Sequence, residues 1–170
     1  MADHAKPIPE GYHAVTPHLI VSDAARAIEF YKRAFGAKEI SRMEGPHAKI
    51  VHAELKIGDS IIMLSDEMPE GCRSPTSLGG STVSIFLYVN DVDLAFNQAV
   101  ASGAKVEMPV TDMFWGDRCG RLTDPFGHSW SMATHQEDVA PEEMRRRAQA
   151  VSGLNQFASH LDLKIESRRA

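Results

Sequence analysis

The chain carries one sequence pattern twice. Residues 19–38 read LIVSDAARAIEFYKRAFGAK, and residues 87–105 read LYVNDVDLAFNQAVASGAK. Each stretch begins with an apolar, strand-like run, continues through an acidic residue suited to capping a helix, and ends with Gly-Ala-Lys after an amphipathic segment. Self-similarity of this kind indicates a repeated structural unit, so the chain is predicted to contain two copies of one unit.

The amphipathic segment of the first copy is predicted to be a helix. Its apolar residues recur at the spacing of one helix face, namely Ala24, Ala27, Ile28, Tyr31, Ala34 and Phe35. Ser22 or Asp23 can cap the first turn, and Gly36 can adopt the positive φ that ends a helix. The second copy shows the same signals in a weaker form.

Strand-like segments follow each predicted helix. In the first half they are residues 37–43, 48–57 and 60–65, and in the second half 105–110, 117–123 and 128–134. Asp-Pro-Phe-Gly at 124–127 provides a tight turn before the last of them. Each half is therefore predicted to be a β-α-β-β-β unit, which gives an α+β fold.

The domain organisation follows from these units. We predict an N-terminal arm (1–12), a first unit (13–65), a linker loop (66–80), a second unit (81–134) and a C-terminal helix with a tail (135–170). The linker is assigned from its Pro, Gly and Ser content. Neither unit is expected to be stable alone, so the two should fold as one cooperative domain.

Composition excludes several classes of function. The 170 residues carry a formal net charge of −5, and no basic block suits a phosphate backbone, so no nucleic-acid partner is expected. The apolar runs are far shorter than the about 20 residues of a membrane helix, and the N-terminus lacks the apolar run of a signal peptide. The two cysteines, Cys72 and Cys119, form no CxxC motif. Two free thiols in a reducing cytoplasm are expected, with a disulfide between them as the alternative.

Three segments carry a resemblance to a known family. They are AIEFYKRAFGA (27–37), GDSIIMLSDE (58–67) and DPFGHSWSMATH (124–135). With them the chain resembles the vicinal oxygen chelate superfamily, which includes glyoxalase I, bleomycin-resistance proteins and extradiol dioxygenases. The GCRSP and LGG pieces of the linker are similar to the glyoxalase-like branch named after phosphonate-utilisation operons. The resemblance implies two half-barrels paired around a cleft, and pairing of chains into a homodimer.

The resemblance also implies positions for metal ligands. Family enzymes hold a divalent metal in the cleft with His or Glu side chains from four strands. Carried over one at a time, these positions fall on Thr16, Met63, Ser84 and Ser131, none of which is His, Asp or Glu. No metal or other cofactor is therefore expected, and the alternative is a metal site with displaced ligands such as His18 and His52.

The side chains predicted to bind a ligand are those at the four carried-over positions and five others. The whole set is Thr16, His18, His52, Met63, Ser84, Phe86, Trp115, Arg118 and Ser131. His18 lies two residues beyond Thr16 and should share its strand face, as a general base or as a hydrogen-bonding wall residue. Phe86 is assigned to the same ligand-binding set. Trp115 can stack on a flat ligand or pack against the protein, and Arg118 can bind a carboxylate or phosphonate, or form an ion pair with Asp117 or Asp112.

Three functions remain open from the sequence. The first is a protein that binds a small organic molecule in an apolar cleft without a metal. The second is a metal-dependent glyoxalase- or dioxygenase-type enzyme with displaced ligands. The third is a structural or partner-binding module that uses the C-terminal helix.

Overall fold

Two sets of helices and strands occur in the same order along the chain in the computed structural model, which describes residues 6–151. The first unit consists of β1 (His18–Val21), α1 (Ala24–Phe35), β2 (Lys38–Glu44), β3 (Ile50–Ile57) and β4 (Ser60–Asp66). A short helix, α2 (Pro75–Leu78), lies between the units. The second unit consists of β5 (Ser84–Tyr88), α3 (Val92–Ala101), β6 (Lys105–Asp112), β7 (Asp117–Thr123) and β8 (Ser129–His135).

Each unit forms one four-stranded sheet with the same topology. The strand orders are β1-β4-β3-β2 and β5-β8-β7-β6. In both sheets the first strand pairs in parallel with the last, and the remaining pairs are antiparallel. The α+β fold with two tandem β-α-β-β-β units is therefore confirmed.

The ends of α1 are specified as the sequence predicts. The Asp23 side chain accepts a hydrogen bond from the backbone N–H of Arg26, and Gly36 adopts φ 65° at the C-cap.

In each unit, a side chain of the last strand also accepts a hydrogen bond from the first backbone N–H of the helix. The Asp66 carboxylate accepts from the backbone N–H of Ala24 at 3.0 Å. At the matching place in the second unit, the hydroxyl of Thr134 accepts from the backbone N–H of Val92 at 2.9 Å.

The two helices pack against each other between the sheets, and the core runs through both units. At the centre of this core, the carboxylate of Asp124 joins the two units. Asp124 accepts hydrogen bonds from the Tyr31 hydroxyl at 2.7 Å and from the Trp130 indole at 3.0 Å, both on Oδ2. Its Oδ1 accepts from the backbone N–H groups of Phe126 and His128. Because Tyr31 belongs to the first unit and Asp124 to the second, this contact connects the two repeats.

The segments outside the units also have definite positions. The predicted linker contains α2, and Glu67 holds it by accepting from the Ser74 backbone N–H and the Ser77 hydroxyl, each at 2.9 Å. Residues 141–151 are helical, which confirms the C-terminal helix. Arg147 forms an ion pair with Glu137, which precedes that helix, and another with Glu143 within it. The predicted tail from residue 152 onward, together with residues 1–5, lies outside the described residues.

Candidate functional site

A groove runs between the neighbouring edge strands of the two sheets, β1 and β5. It has a volume of about 850 Å³ and is closed on one side by the 73–83 segment that includes α2. Most of its lining is apolar, contributed by Pro17, Leu19, Ile20, Pro75, Leu78, Val83, Ile85 and Phe86. Its polar side chains are His18, Arg73, Ser81, Thr82, Ser84 and His128. An apolar groove with a few polar groups is the usual form of a small-molecule site.

His18 projects from the face of its sheet that is turned away from the helices, here called the open face. Its neighbours Leu19 and Val21 are buried in the core, and alternation along the strand places His18 on the other side. In the parallel register of β1 and β4, His18 lies beside Met63. Burial, with a smaller contribution from the charge of His52, lowers the pKa of His18. His18 is therefore suited to act as a neutral hydrogen-bonding group at neutral pH.

His52 belongs to a row of polar groups on the same open face. Its ring centroid lies 6.4 Å from that of His18, and its Nε2 lies 3.1 Å from Oε1 of Glu54. The hydroxyl of Tyr12 donates a hydrogen bond to Glu54, which raises the pKa of Tyr12 to about 12. A hydrogen bond from Tyr12, and to a smaller extent one from His52, lowers the pKa of Glu54. The N-terminal segment therefore contacts the open face of the first sheet through Tyr12.

The open face of the second sheet carries hydroxyl groups beside aromatic rings. Ser129 donates to Ser84 at 3.3 Å, and the hydroxyls of Ser84 and Ser131 lie 3.5 Å apart. The rings of Phe86 and Tyr88 have centroids 5.0 Å apart. Phe86 is 47% exposed and Tyr88 60% exposed, so both offer ring surface to a ligand or to another protein chain.

Trp115 takes part in a cluster around a buried carboxylate. Asp117 accepts from the indole of Trp115 at 3.0 Å, from the hydroxyl of Tyr88 at 3.1 Å, and lies 2.8 Å from Nδ1 of His135. Burial alone would raise the pKa of Asp117, but the three hydrogen bonds together hold it below its ordinary value. The other ring nitrogen of His135 lies 3.0 Å from Asp138, and hydrogen bonds to Asp117 and Asp138 raise the pKa of His135.

Arg118 lies on the helix side of the second sheet. It donates two hydrogen bonds to Asp93 of α3, each 2.7 Å long, and one to Asp112 at 2.9 Å. Arg118 therefore forms an ion pair, as one of the two alternatives expected. Asp112 is one partner, and Asp93 is a second partner that the sequence could not indicate. The two aspartates therefore occupy the guanidinium that the other alternative assigns to a ligand.

The groove brings together only part of the predicted ligand-binding set. His18, Ser84 and Phe86 line it. Met63 and Ser131 lie on the open faces next to His18 and Phe86, their respective register partners. The other four members, Thr16, His52, Trp115 and Arg118, are not among the lining residues.

Thr16 precedes β1 instead of lying within it. Its hydroxyl donates to the backbone carbonyl of His13 at 3.3 Å. Sequence reasoning also missed a lining residue, Arg73. The only sequence signal for Arg73 was the GCRSP piece of the linker, which pointed to a family branch and to no specific contact.

The residues present do not fit a metal of the family type. The four carried-over positions supply hydroxyls from Thr16, Ser84 and Ser131 and a thioether from Met63, which are poor ligands for a divalent ion of that kind. Between residues 6 and 151 no three His, Cys, Asp or Glu side chains are grouped so that they could hold a metal ion.

The fold agrees with the family comparison. A model of the Glyoxalase/Bleomycin resistance protein/Dioxygenase superfamily matches residues 11–132. The chain therefore belongs to this superfamily, and the membership expected from its sequence motifs is confirmed.

Individual relatives share the sequence or the fold. The uncharacterized protein Rv0887c of Mycobacterium tuberculosis is 46% identical over 136 residues, covering 78% of this chain and 80% of that protein. The structure of TioX from Micromonospora sp. ML1 matches with a TM-score of 0.58 and 28% identity over 72% of this chain and 98% of TioX. A PhnB protein structure from Bacillus cereus matches with a TM-score of 0.56 over 72% of this chain and 99% of that one. At 18% identity the PhnB match shows a shared fold.

None of the helices among residues 6–151 is both long enough and apolar enough to cross a membrane.

Proposed function

We propose that this protein binds a small organic molecule in the groove between β1 and β5 and does so without a divalent metal. The observation that carries the proposal is the groove itself. Its volume of about 850 Å³ falls within the about 300–1,000 Å³ of typical small-molecule sites, and apolar side chains dominate its walls.

The chemistry of the walls supports binding more than catalysis. Ser84 and the neutral imidazole of His18 can fix the orientation of a ligand by hydrogen bonds, while Phe86 offers a ring for stacking. The hydroxyls and the thioether at the four family positions are poor ligands for a divalent metal. Without that metal, a ligand oxygen would have no Lewis acid to bind there. The bound molecule would then be held and sequestered.

We also propose that the protein is a homodimer. Two large side chains on the open faces, outside the groove, are well exposed in one chain: Met43 at 61% and Tyr88 at 60%. Exposed apolar surface on a sheet is commonly covered by a partner chain, and a second copy would cover both sheets by one symmetric arrangement.

A reducing compartment such as the cytoplasm fits the two cysteines. Both Cys72 and Cys119 are free, Cys72 exposed and Cys119 buried. Burial, followed by the charge of Asp117, raises the pKa of Cys119, which keeps that thiol protonated and unreactive.

The binding proposal is tested with phenylnaphthylamine, an uncharged aromatic probe whose fluorescence rises in apolar sites. Leu78 lines the groove, so Leu78→Asp should weaken probe binding roughly tenfold, because it replaces apolar contact surface with a carboxylate. Leu94→Asp is the matched control, since Leu94 on α3 is 68% exposed, against 66% for Leu78, and lies outside the groove. Equal weakening by the two substitutions would contradict binding in the groove.

A metal-dependent enzyme with displaced ligands is the second candidate, and one observation favours it. His18 and His52 share one open face with ring centroids 6.4 Å apart, and His52 lies beside Glu54. As they stand these side chains do not form a metal-binding group, so this candidate requires them to move together when the metal binds. Chelator-sensitive turnover of a hemithioacetal or a catechol, abolished by His52→Ala, would establish this candidate. Equal rates with and without chelator would exclude it.

A further inference from the structure

The groove differs in charge from the rest of the molecule. The chain carries 23 acidic against 18 basic residues, yet the groove lining includes no Asp or Glu. Its ionisable side chains are Arg73, His18 and His128. A site that excludes carboxylates within an acidic protein favours a negatively charged ligand.

The guanidinium of Arg73 is available to such a ligand. Its Nη2 lies 3.5 Å from the backbone carbonyl oxygen of Ser77, at the outer limit of a hydrogen bond. Glu67 is close enough to act on it electrostatically, but the Glu67 oxygens accept from Ser74 and Ser77. Among the described residues, no carboxylate forms an ion pair with Arg73. By contrast, Arg118 is held by two aspartates.

The apolar part of the groove lies beside this cation. Leu78 follows Arg73 in the same loop, and Phe86 and Ile20 come from the two edge strands. A ligand with an aromatic or otherwise apolar body and one acidic group would match both parts. The body would contact these side chains, and two oxygens of the acidic group would accept the bidentate hydrogen bonds that guanidinium groups form with oxyanions.

We propose that Arg73 is the specificity-determining residue of the groove and that the ligand is an apolar organic anion, such as an aromatic carboxylate or sulfonate. This inference rests on the proposed binding function and adds the chemical class of the ligand. It places recognition on the loop between the units, outside the four family metal positions.

The test compares two probes that differ by one sulfonate, anilinonaphthalenesulfonate and uncharged phenylnaphthylamine. The measured quantity is the ratio of their dissociation constants for the full chain. Arg73→Gln should weaken binding of the sulfonate about tenfold more than binding of the amine, the effect of losing a charge-assisted hydrogen-bond pair. Arg73→Lys should recover part of the loss, because it keeps the charge without the planar fork. Retained binding of the amine also shows that the variant is folded and still has the groove.

Arg145→Gln is the matched control, because it removes the same charge from an exposed position on the C-terminal helix. It should leave the ratio as in the parent chain. If Arg73→Gln also leaves the ratio unchanged, or if Arg145→Gln changes it equally, the assignment of Arg73 is wrong while the binding site stands. If the parent chain binds neither probe, the proposed function itself fails, and the inference fails with it.

Discussion

The hydrogen bond between Tyr31 and Asp124 gives the sharpest test of how the two units are joined. Tyr31→Phe removes only the hydroxyl, which donates to Oδ2 of Asp124 at 2.7 Å within the core. A hydrogen bond to a charged group contributes about 1.5–3 kcal/mol. Trp130 still donates to the same oxygen, so we expect the lower part of that range, a loss of about 1.5–2 kcal/mol in the free energy of unfolding.

Urea unfolding followed by circular dichroism measures this loss, and thermal unfolding should show a fall of about 3–8 °C in Tm for a chain of this size. Tyr88→Phe is the control, because its hydroxyl also donates to an aspartate, Asp117 at 3.1 Å, but from a ring that is 60% exposed. We expect that variant to lose less than about 1 kcal/mol. Equal losses in the two variants would refute the argument that burial of the contact between the units determines its contribution.

Two further predictions concern the second unit. Because Asp117 and Asp138 raise the pKa of His135, the folded state binds this proton more tightly than the unfolded chain. Its stabilisation is complete below the ordinary histidine pKa of about 6.5 and is lost as the pH rises through the raised value. His135→Gln should therefore remove part of the decline in unfolding free energy between about pH 6 and 8, and an unaltered profile would contradict this. Gly116 has φ 99°, and a Cβ there would overlap the carbonyl oxygen of Glu137. Gly116→Ala should therefore cost at least about 3 kcal/mol in denaturant unfolding. Gly58→Ala, at φ 59° with open space around it, should cost only about 1 kcal/mol, and similar losses in both would refute the overlap.

Local signals were sufficient to predict the repeated elements. Capping by Asp23, termination at Gly36 and the Asp-Pro-Phe-Gly turn depend on residues close together in the sequence, and each occurs where expected. Helical spacing also placed Tyr31 and Phe35 on the packed side of α1. The short helix α2 was not predicted, because Glu67, which holds it, acts through contacts seven and ten residues away.

Site residues were predictable only where alternation along a strand determines which face of the sheet a side chain lies on. Alternation on β1 places His18 on the open face, and the same rule puts Trp130 on the helix side and Ser131 opposite it. For Arg118 the sequence leaves a ligand and an ion pair as alternatives, and it does not indicate Asp93, which lies 25 residues earlier on another element. Arg73 could not be predicted for a related reason, because its place in the groove depends on how the loop folds back against β1 and β5.

Native mass spectrometry of the full chain, purified without immobilised metal and mixed with phenylnaphthylamine, tests metal-independent binding most directly. One spectrum reads bound metal, bound probe and the number of chains. We expect a dimer that carries the probe and no stoichiometric divalent metal. One tightly held divalent ion per chain, lost in His18→Ala, would contradict it.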